Sequence, residues 1–144
     1  MNQSEASDIP ALMQRHAQDA VDYTQVMLHE HLDYSDESIQ TLERILEQFH
    51  AARSREIRAV RPAAASTTID LICQTFGAYM GEVIRRRCGG EWEQDPQSLP
   101  GQLIVNLRKG FAQTCPSAKV LQRIMNGRED NVWYYYQFLV ENWK

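Results

Sequence analysis

The sequence predicts a single α+β domain that spans all 144 residues. The expected order is two N-terminal helices and a buried central helix, packed on a small antiparallel sheet of two or three strands, followed by two C-terminal helices. Three observations predict this order. Apolar residues recur at three- and four-residue steps as far as Cys88, short alternating runs follow Gly89 and Gly90, and helical spacing returns after Pro116. Helices that flank a small sheet in this way are typical of the α+β class.

The first helix is expected to begin after Asp8 and to run to about His29. Pro10 falls in the first helical turn, where its missing N–H costs nothing. Six residues, most of them apolar, recur at three- and four-residue steps along this segment: Leu12, Met13, His16, Ala20, Tyr23 and Met27. Residues 1–8 are polar and acidic, and we expect them to be disordered.

The second helix has a clear start signal. Ser35 can cap it, while Tyr34 and Ile39 occupy the two positions of a hydrophobic staple. An apolar stripe marks its buried side, and its polar side, assigned to solvent, carries Glu43, Arg44 and Glu47. Residues 51–65 are rich in arginine and alanine, so we expect them to extend this helix to a break at Pro62 and to form an exposed elbow.

The central helix is predicted to begin near residues 66–68 and to reach Cys88. It carries Gly77 and Gly81 one turn apart on a stripe of small residues, while bulky apolar residues cover most of its remaining surface. A glycine inside a helix costs up to about 1 kcal/mol relative to alanine. The pair therefore predicts that another backbone or a bulky ring packs closely against this stripe.

The remaining elements follow the glycine pair at residues 89–90. Three short segments are predicted to form the strands: residues 91–93, 102–107 and 111–113. Pro116 is expected to open a helix that ends at Gly127, where a left-handed residue is favoured. Asp130 is expected to cap the last helix.

Composition and charge exclude several classes of function. A chain that is 43% hydrophobic and 24% charged is typical of a globular protein. A net charge of -4 disfavours general affinity for nucleic acid or anionic membranes, and no apolar run approaches the roughly 18 residues of a transmembrane helix. The start of the chain lacks the pattern of a secretory signal, and three cysteines in unrelated contexts indicate reduced thiols. We therefore expect a cytoplasmic protein.

The candidate binding residues are Glu82, Arg86, Trp92 and Tyr135. Glu82 and Arg86 share the narrow polar strip of the central helix, and the two aromatic residues could help to frame a polar pocket where this helix meets the sheet. A glutamate three and four residues before arginines is equally the pattern of helix-surface ion pairs, which need no ligand. The sequence holds no phosphate loop, nucleophile elbow or histidine pair at metal-ligand spacing. It therefore predicts no catalytic residue, no metal site and no cofactor.

Several segments resemble a family of small bacterial domains of unknown function. The likeness runs in order from Leu32 to Tyr136. It is carried by LDYSDESI at 32–39, FGAYMGEVIRR at 76–86, GGEW at 89–92, and NGRED at 126–130 followed by YYY at 134–136. The resemblance implies a bacterial cytoplasmic α+β domain, and it carries over no activity and no site residue.

Three hypotheses for function remain open. The leading one is a non-enzymatic protein-interaction or regulatory domain, which uses an aromatic and charged surface near the C-terminal helix to bind a protein partner or to form a homo-oligomer. The alternative is a small-ligand-binding protein or enzyme with a polar pocket around Glu82, Arg86 and Trp92. The second alternative is weak nucleic-acid binding through an arginine-rich surface, which includes Arg53 and Arg58.

Overall fold

A computed structural model describes residues 8–56, 62–98 and 103–143, without the side chains of residues 54–56 and 62–67. Helices at both ends of this described chain flank a small antiparallel sheet, so the predicted α+β class is confirmed. The elements, in order, are α1 (Ile9–Tyr23), α2 (Glu37–Glu56), α3 (Pro62–Cys88), β1 (Glu91–Gln94), β2 (Val105–Lys109), β3 (Ala112–Thr114), α4 (Pro116–Asn126) and α5 (Val132–Asn142).

Helix α3, 27 residues long, is the centre of the core. Phe76, Tyr79, Met80 and Ile84 on this helix are almost completely buried. The Tyr79 hydroxyl donates to Ser38 Oγ at 2.7 Å and accepts from the backbone N–H of Tyr34 at 2.9 Å. Helix α3 is therefore tied by hydrogen bonds to the start of α2 as well as by apolar packing.

The two glycines of α3 lie where the sequence predicts a close approach, and that prediction is confirmed. A Cβ atom on Gly77 would lie 2.6 Å from the Cα of Ser117, at the start of α4. A Cβ atom on Gly81 would lie 2.0 Å from Cη2 of Trp92, on β1. Gly77 thus lets the backbone of α4 pack against α3, and Gly81 lets the Trp92 ring do so.

The sheet has the strand order β1-β2-β3, and both pairs are antiparallel. The predicted first strand is confirmed, but β2 begins at Val105 instead of residue 102. Ile104 explains the shift, because its backbone N–H and C=O groups bond to the loop at Asp95 and Ser98 and not to a neighbouring strand. The third strand begins one residue later than predicted, since Gly110, at φ +63, and the residue after it form the turn.

Several helix boundaries also differ from the predictions. Helix α3 begins at Pro62 and not near residues 66–68, because proline suits the first position of a helix. Asn131, not Asp130, caps α5, and its side chain accepts from the backbone N–H of Tyr134 at 3.1 Å. Asp130 lies in a short 3-10 turn and bonds to Asn126 instead.

Other boundaries agree with the predictions. Beyond α1, the helical backbone continues as a π-helical turn to Leu28. The helix ends at His29, whose backbone is left-handed, so the predicted end near His29 is confirmed. Ser35 caps α2 through a 3.2 Å bond from the N–H of Ser38. Of the predicted elbow at 51–65, residues 51–56 belong to α2 and 62–65 to α3, while 57–61 lie outside the described residues. Residues 1–7, where disorder is predicted, also lie outside them.

The assignment of Glu43 and Glu47 to a solvated face is wrong. Both carboxylates bind Arg123 of α4, whose side chain is completely buried. Arg123 donates from Nε and Nη2 to Glu43 at 2.8–3.0 Å, and Glu43 also accepts from the backbone N–H of Val132 at 3.0 Å. We call Arg123, Glu43 and Glu47 the Arg123 cluster; it joins α2, α4 and the first residue of α5.

Substitution of Gly81 by alanine tests the close approach of Trp92. Alanine favours a helix by up to about 1 kcal/mol over glycine, but the added methyl group would overlap the Trp92 ring. Overpacking of this kind costs about 1–3 kcal/mol, so we expect Gly81→Ala to lower the free energy of unfolding measured with urea. Gln40→Ala, on the exposed side of α2, is the control and should leave stability nearly unchanged. A more stable Gly81→Ala protein would contradict the packing.

Substitution of Arg123 by methionine tests the Arg123 cluster. The change leaves Glu43 without its cation and removes the closer of the two cations beside Glu47, and breaking a buried ion pair costs about 3–5 kcal/mol. We expect a loss near the lower end of that range, because Glu47 remains partly exposed to water. Arg128→Met is the matched control, since Arg128 lies 4.0 Å from Glu47 on the surface and such pairs contribute little. Equal urea midpoints for the two variants would contradict this role.

Candidate functional site

Glu82 lies at the junction of α3 with β1, and its side chain is completely buried. Its Oε2 atom accepts from Trp92 Nε1 and from Arg85 Nε, each at 2.8 Å, and its Oε1 atom accepts from Arg85 Nη2 at 3.1 Å. We call Glu82, Arg85 and Trp92 the Glu82 cluster. Its formation depends on Gly81, which leaves room for the Trp92 ring beside α3.

Arg86 lies beside this cluster but makes its close contact elsewhere. Its guanidinium carbon is 3.7 Å from the centre of the Tyr34 ring, and its Nη2 atom is 3.9 Å from Glu82 Oε1. The Glu82–Arg86 distance exceeds a hydrogen bond. The ion-pair pattern in the sequence includes Arg85, three residues after Glu82, and the structure shows that Arg85 is its main partner.

The electrostatics of the Glu82 cluster keep its carboxylate ionised. Burial raises the pKa of Glu82, but the hydrogen bonds from Arg85 and Trp92, with the charges of Arg85 and Arg86, outweigh burial and leave the pKa below its usual value. The bond to Glu82 likewise raises the pKa of Arg85. A buried carboxylate whose oxygens already accept three hydrogen bonds is poorly placed to take a proton from a substrate.

Among the described residues, no hydrogen bond or ring contact joins Tyr135 to the Glu82 cluster. Its ring lies under Lys119 of α4, with Nζ 5.0 Å from the ring centre. Burial raises the pKa of its hydroxyl to about 12. The structure thus brings Glu82, Arg86 and Trp92 into one neighbourhood and places Tyr135 between α5 and α4.

Two spaces adjoin Trp92, and both are smaller than a usual small-molecule site. A cavity of about 50 Å³ adjoins its ring and is lined partly by His16, Gln74 and Ser117. That volume holds a few water molecules and lies well below the roughly 300–1,000 Å³ of small-molecule sites. Burial lowers the pKa of His16, which favours its neutral form. An open groove of about 280 Å³ lies on the other side, between Arg85, Trp92 and the start of α1.

The outer face of α5 carries two large aromatic side chains one turn apart. Tyr134 is 70% exposed and Phe138 is 61% exposed. Val132, Tyr136 and Leu139, on the opposite side of the helix, are buried in the core. We call Tyr134 and Phe138 the aromatic face. Sequence reasoning did not single out this pair, although residues four positions apart lie on the same face of a helix and here fall opposite the buried stripe.

A groove of about 240 Å³ lies beside the aromatic face, between α5 and the start of α2. The Trp133 and Tyr136 rings stack there with centres 6.0 Å apart and planes 24° apart. The Tyr136 hydroxyl donates to Asp36 Oδ1. We call this the acidic groove, and its lining residues are Asp36, Trp133, Tyr136, Gln137, Val140 and Glu141.

The arginines considered for nucleic-acid binding are largely engaged within the protein. Arg123 is buried, Arg85 binds Glu82, and Arg108 binds Glu93 at 2.8 Å. The side chains of Arg55, Arg58 and Arg61 lie outside the described residues. Arg123, Arg85 and Arg108 are therefore already paired with carboxylates of the protein, which weakens the case for contacts to a phosphate backbone.

The chain matches no protein-family model, no curated protein and no solved structure. The resemblance to small bacterial domains of unknown function therefore stays a prediction. Over residues 8–56, 62–98 and 103–143, no helix combines the length and apolarity needed to cross a membrane. The same residues contain no cluster of three or more histidine, cysteine, aspartate or glutamate side chains able to hold a metal ion.

Replacement of Glu82 by glutamine tests the Glu82 cluster. Glutamine keeps the size of the side chain but removes the charge that pairs with Arg85. A poorly satisfied buried group costs about 1–3 kcal/mol, so we expect a loss of that order in urea unfolding at pH 7. Glu93→Gln, which breaks the exposed pair with Arg108, is the matched control and should cost less than about 1 kcal/mol.

The pH dependence of Glu82→Gln has a definite sign. Because the folded protein lowers the pKa of Glu82, the stability that its charge contributes is fully present above the unfolded-state pKa of about 4.3. It is lost as the pH falls through the lower folded-state pKa. The difference in unfolding free energy between wild type and variant should be constant from pH 5 to 8 and shrink below about pH 4. A difference that grows on acidification would contradict this sign.

Proposed function

We propose that this protein is a non-enzymatic protein-interaction domain whose docking surface is the aromatic face of α5. One observation carries the proposal: Tyr134 and Phe138 are both mainly exposed on one side of a helix whose other side is buried. Single exposed apolar residues are ordinary, but two large aromatic residues at helical spacing form one continuous surface. Aromatic residues are enriched at protein interfaces, and tyrosine is prominent among those that dominate binding energy.

The backbone that carries the aromatic face is held at both ends. Asn131 caps the first turn of α5, and Glu43 accepts from the N–H of Val132. At the other end, Lys109 Nζ donates to the carbonyl of Trp143. A helix held in this way loses little additional backbone freedom on binding, which favours affinity.

The enzyme and small-ligand alternative has weaker support. The Glu82 carboxylate is buried and accepts three hydrogen bonds. The two spaces beside Trp92, of about 50 and 280 Å³, are both below the usual size of a small-molecule site. Arg86 rests against Tyr34 and is not aimed with Glu82 at a common ligand position. These contacts are sufficient to explain why Glu82, Arg86 and Trp92 occur together, without a substrate.

The double variant Tyr134→Ala/Phe138→Ala tests the proposal. Both side chains are mainly exposed, so we expect the folded state to change by no more than about 0.5 kcal/mol per substitution. Loss of two interface aromatics should weaken partner binding by roughly 30-fold or more. The measurement is quantitative cross-linking and affinity capture from the source cells, together with sedimentation of the purified protein to detect self-association.

Phe111→Ala is the matched control, because Phe111 is a fully exposed aromatic residue in the turn between β2 and β3. This control should capture the same partners as the wild type. Partners that the double variant retains at wild-type levels would refute the proposed docking surface. Self-association lost only in the double variant would identify a second copy of the chain as the partner.

A further inference from the structure

The acidic groove combines two features that favour a cation. Trp133, which is partly exposed, supplies an aromatic ring that stacks on the buried Tyr136 ring, and Asp36 and Glu141 supply carboxylates. Both described contacts of the Asp36 carboxylate, from the Tyr136 hydroxyl and from Arg87, fall on its Oδ1 atom. Asp36 is exposed, so its Oδ2 atom remains available to a ligand.

The charged groups around the groove leave it net acidic. Among the described residues that line the groove, Asp36 and Glu141 are carboxylates and none is a lysine or arginine, while Arg87 forms an ion pair with Asp36. Arg87 Nε lies 3.7 Å from Asp36 Oδ1, beyond hydrogen-bond distance, and about half of its side chain is exposed. Arg87 can therefore move aside when a second cation approaches Asp36.

We propose that the acidic groove binds an arginine side chain from a basic segment of the protein partner. This inference rests on the proposed function, because the groove adjoins the aromatic face on the same helix. A guanidinium is planar, so it can stack on an aromatic ring while its N–H groups bond to carboxylates. A groove of about 240 Å³ is smaller than a typical small-molecule site and suits one long side chain.

Charge favours a different basic protein over a second copy of this chain. A dimer whose two-fold axis passes through this groove would bring Asp36 and Glu141 of one copy near the same residues of the other. Like charges placed together across an interface are unfavourable, whereas a basic segment meets carboxylates that it can pair with. The aromatic face would then bind the apolar residues beside the arginine.

A peptide titration tests the inference with defined probes. The ¹⁵N-labelled full chain is titrated with the capped peptide Gly-Arg-Gly-Arg-Gly, and with the same peptide carrying citrulline, an uncharged isostere, in place of arginine. We expect the arginine peptide to shift the indole N–H of Trp133 and the side-chain amide of Gln137, and we expect the citrulline peptide to bind at least about tenfold more weakly. A lysine peptide reports whether charge alone suffices.

Two variants complete the design. Glu141→Gln, on the exposed rim of the groove, should weaken binding of the arginine peptide by about three- to tenfold while leaving the fold intact. Glu129→Gln removes the same charge outside the groove and should have no effect. Equal binding of the arginine and citrulline peptides, or shifts scattered over the surface and insensitive to Glu141→Gln, would overturn the inference.

The results separate this inference from the proposed function. If arginine peptides fail to bind while the Tyr134→Ala/Phe138→Ala variant still loses its partner, the groove inference falls and the docking surface stands. If arginine peptides bind in the groove while the double variant keeps its partner, the groove inference is supported and the aromatic face is refuted as the docking surface.

Discussion

The Arg123 cluster is the constraint on which the placement of the C-terminal half depends. Arg123 is completely buried, and a buried guanidinium is tolerated only when carboxylates pair with it. Glu43 supplies that charge and at the same time accepts from the backbone of Val132. One carboxylate of α2 therefore holds both α4 and the start of α5. Because buried pairs contribute little net stability compared with apolar packing, we infer that the main effect of this cluster is to select one orientation of these helices.

A second close contact joins α3 to the sheet. Gly81 lets the Trp92 ring approach the helix, and Trp92 then reaches the Glu82 carboxylate with its indole N–H. The two features depend on each other, because a side chain at position 81 would displace the ring and leave Glu82 with fewer donors. Trp92 thus donates a hydrogen bond to the buried Glu82 carboxylate, and its ring also fills the space beside Gly81. The candidate binding residues Glu82 and Trp92 have a structural explanation in this arrangement.

Features set by residues close together in the chain could be predicted from the sequence, and contacts between distant residues could not. The close approach at Gly77 and Gly81 was predictable, because a glycine inside a helix is unfavourable unless something packs against it. The role of Glu43 and Glu47 could not be predicted, because their partner Arg123 is 80 and 76 residues away in the chain. Two glutamates on the polar side of an amphipathic helix ordinarily indicate solvent. The start of α3 was misplaced for a local reason: proline ends one helix and begins another with equal ease.

The exposure of Tyr134 and Phe138 follows from the long-range contacts and not from the sequence of α5 alone. This helix is apolar on most sides, so its pattern leaves open which side is buried. Glu43 holds its first residue, the Tyr136 hydroxyl binds Asp36 near its middle, and Lys109 binds the carbonyl just beyond its end. These three attachments, from α2, from the residue just before α2 and from β2, fix the rotation of α5 about its axis. With that rotation fixed, Tyr134 and Phe138 point away from the core, and the aromatic face is held in one orientation, which is what the proposed docking surface requires.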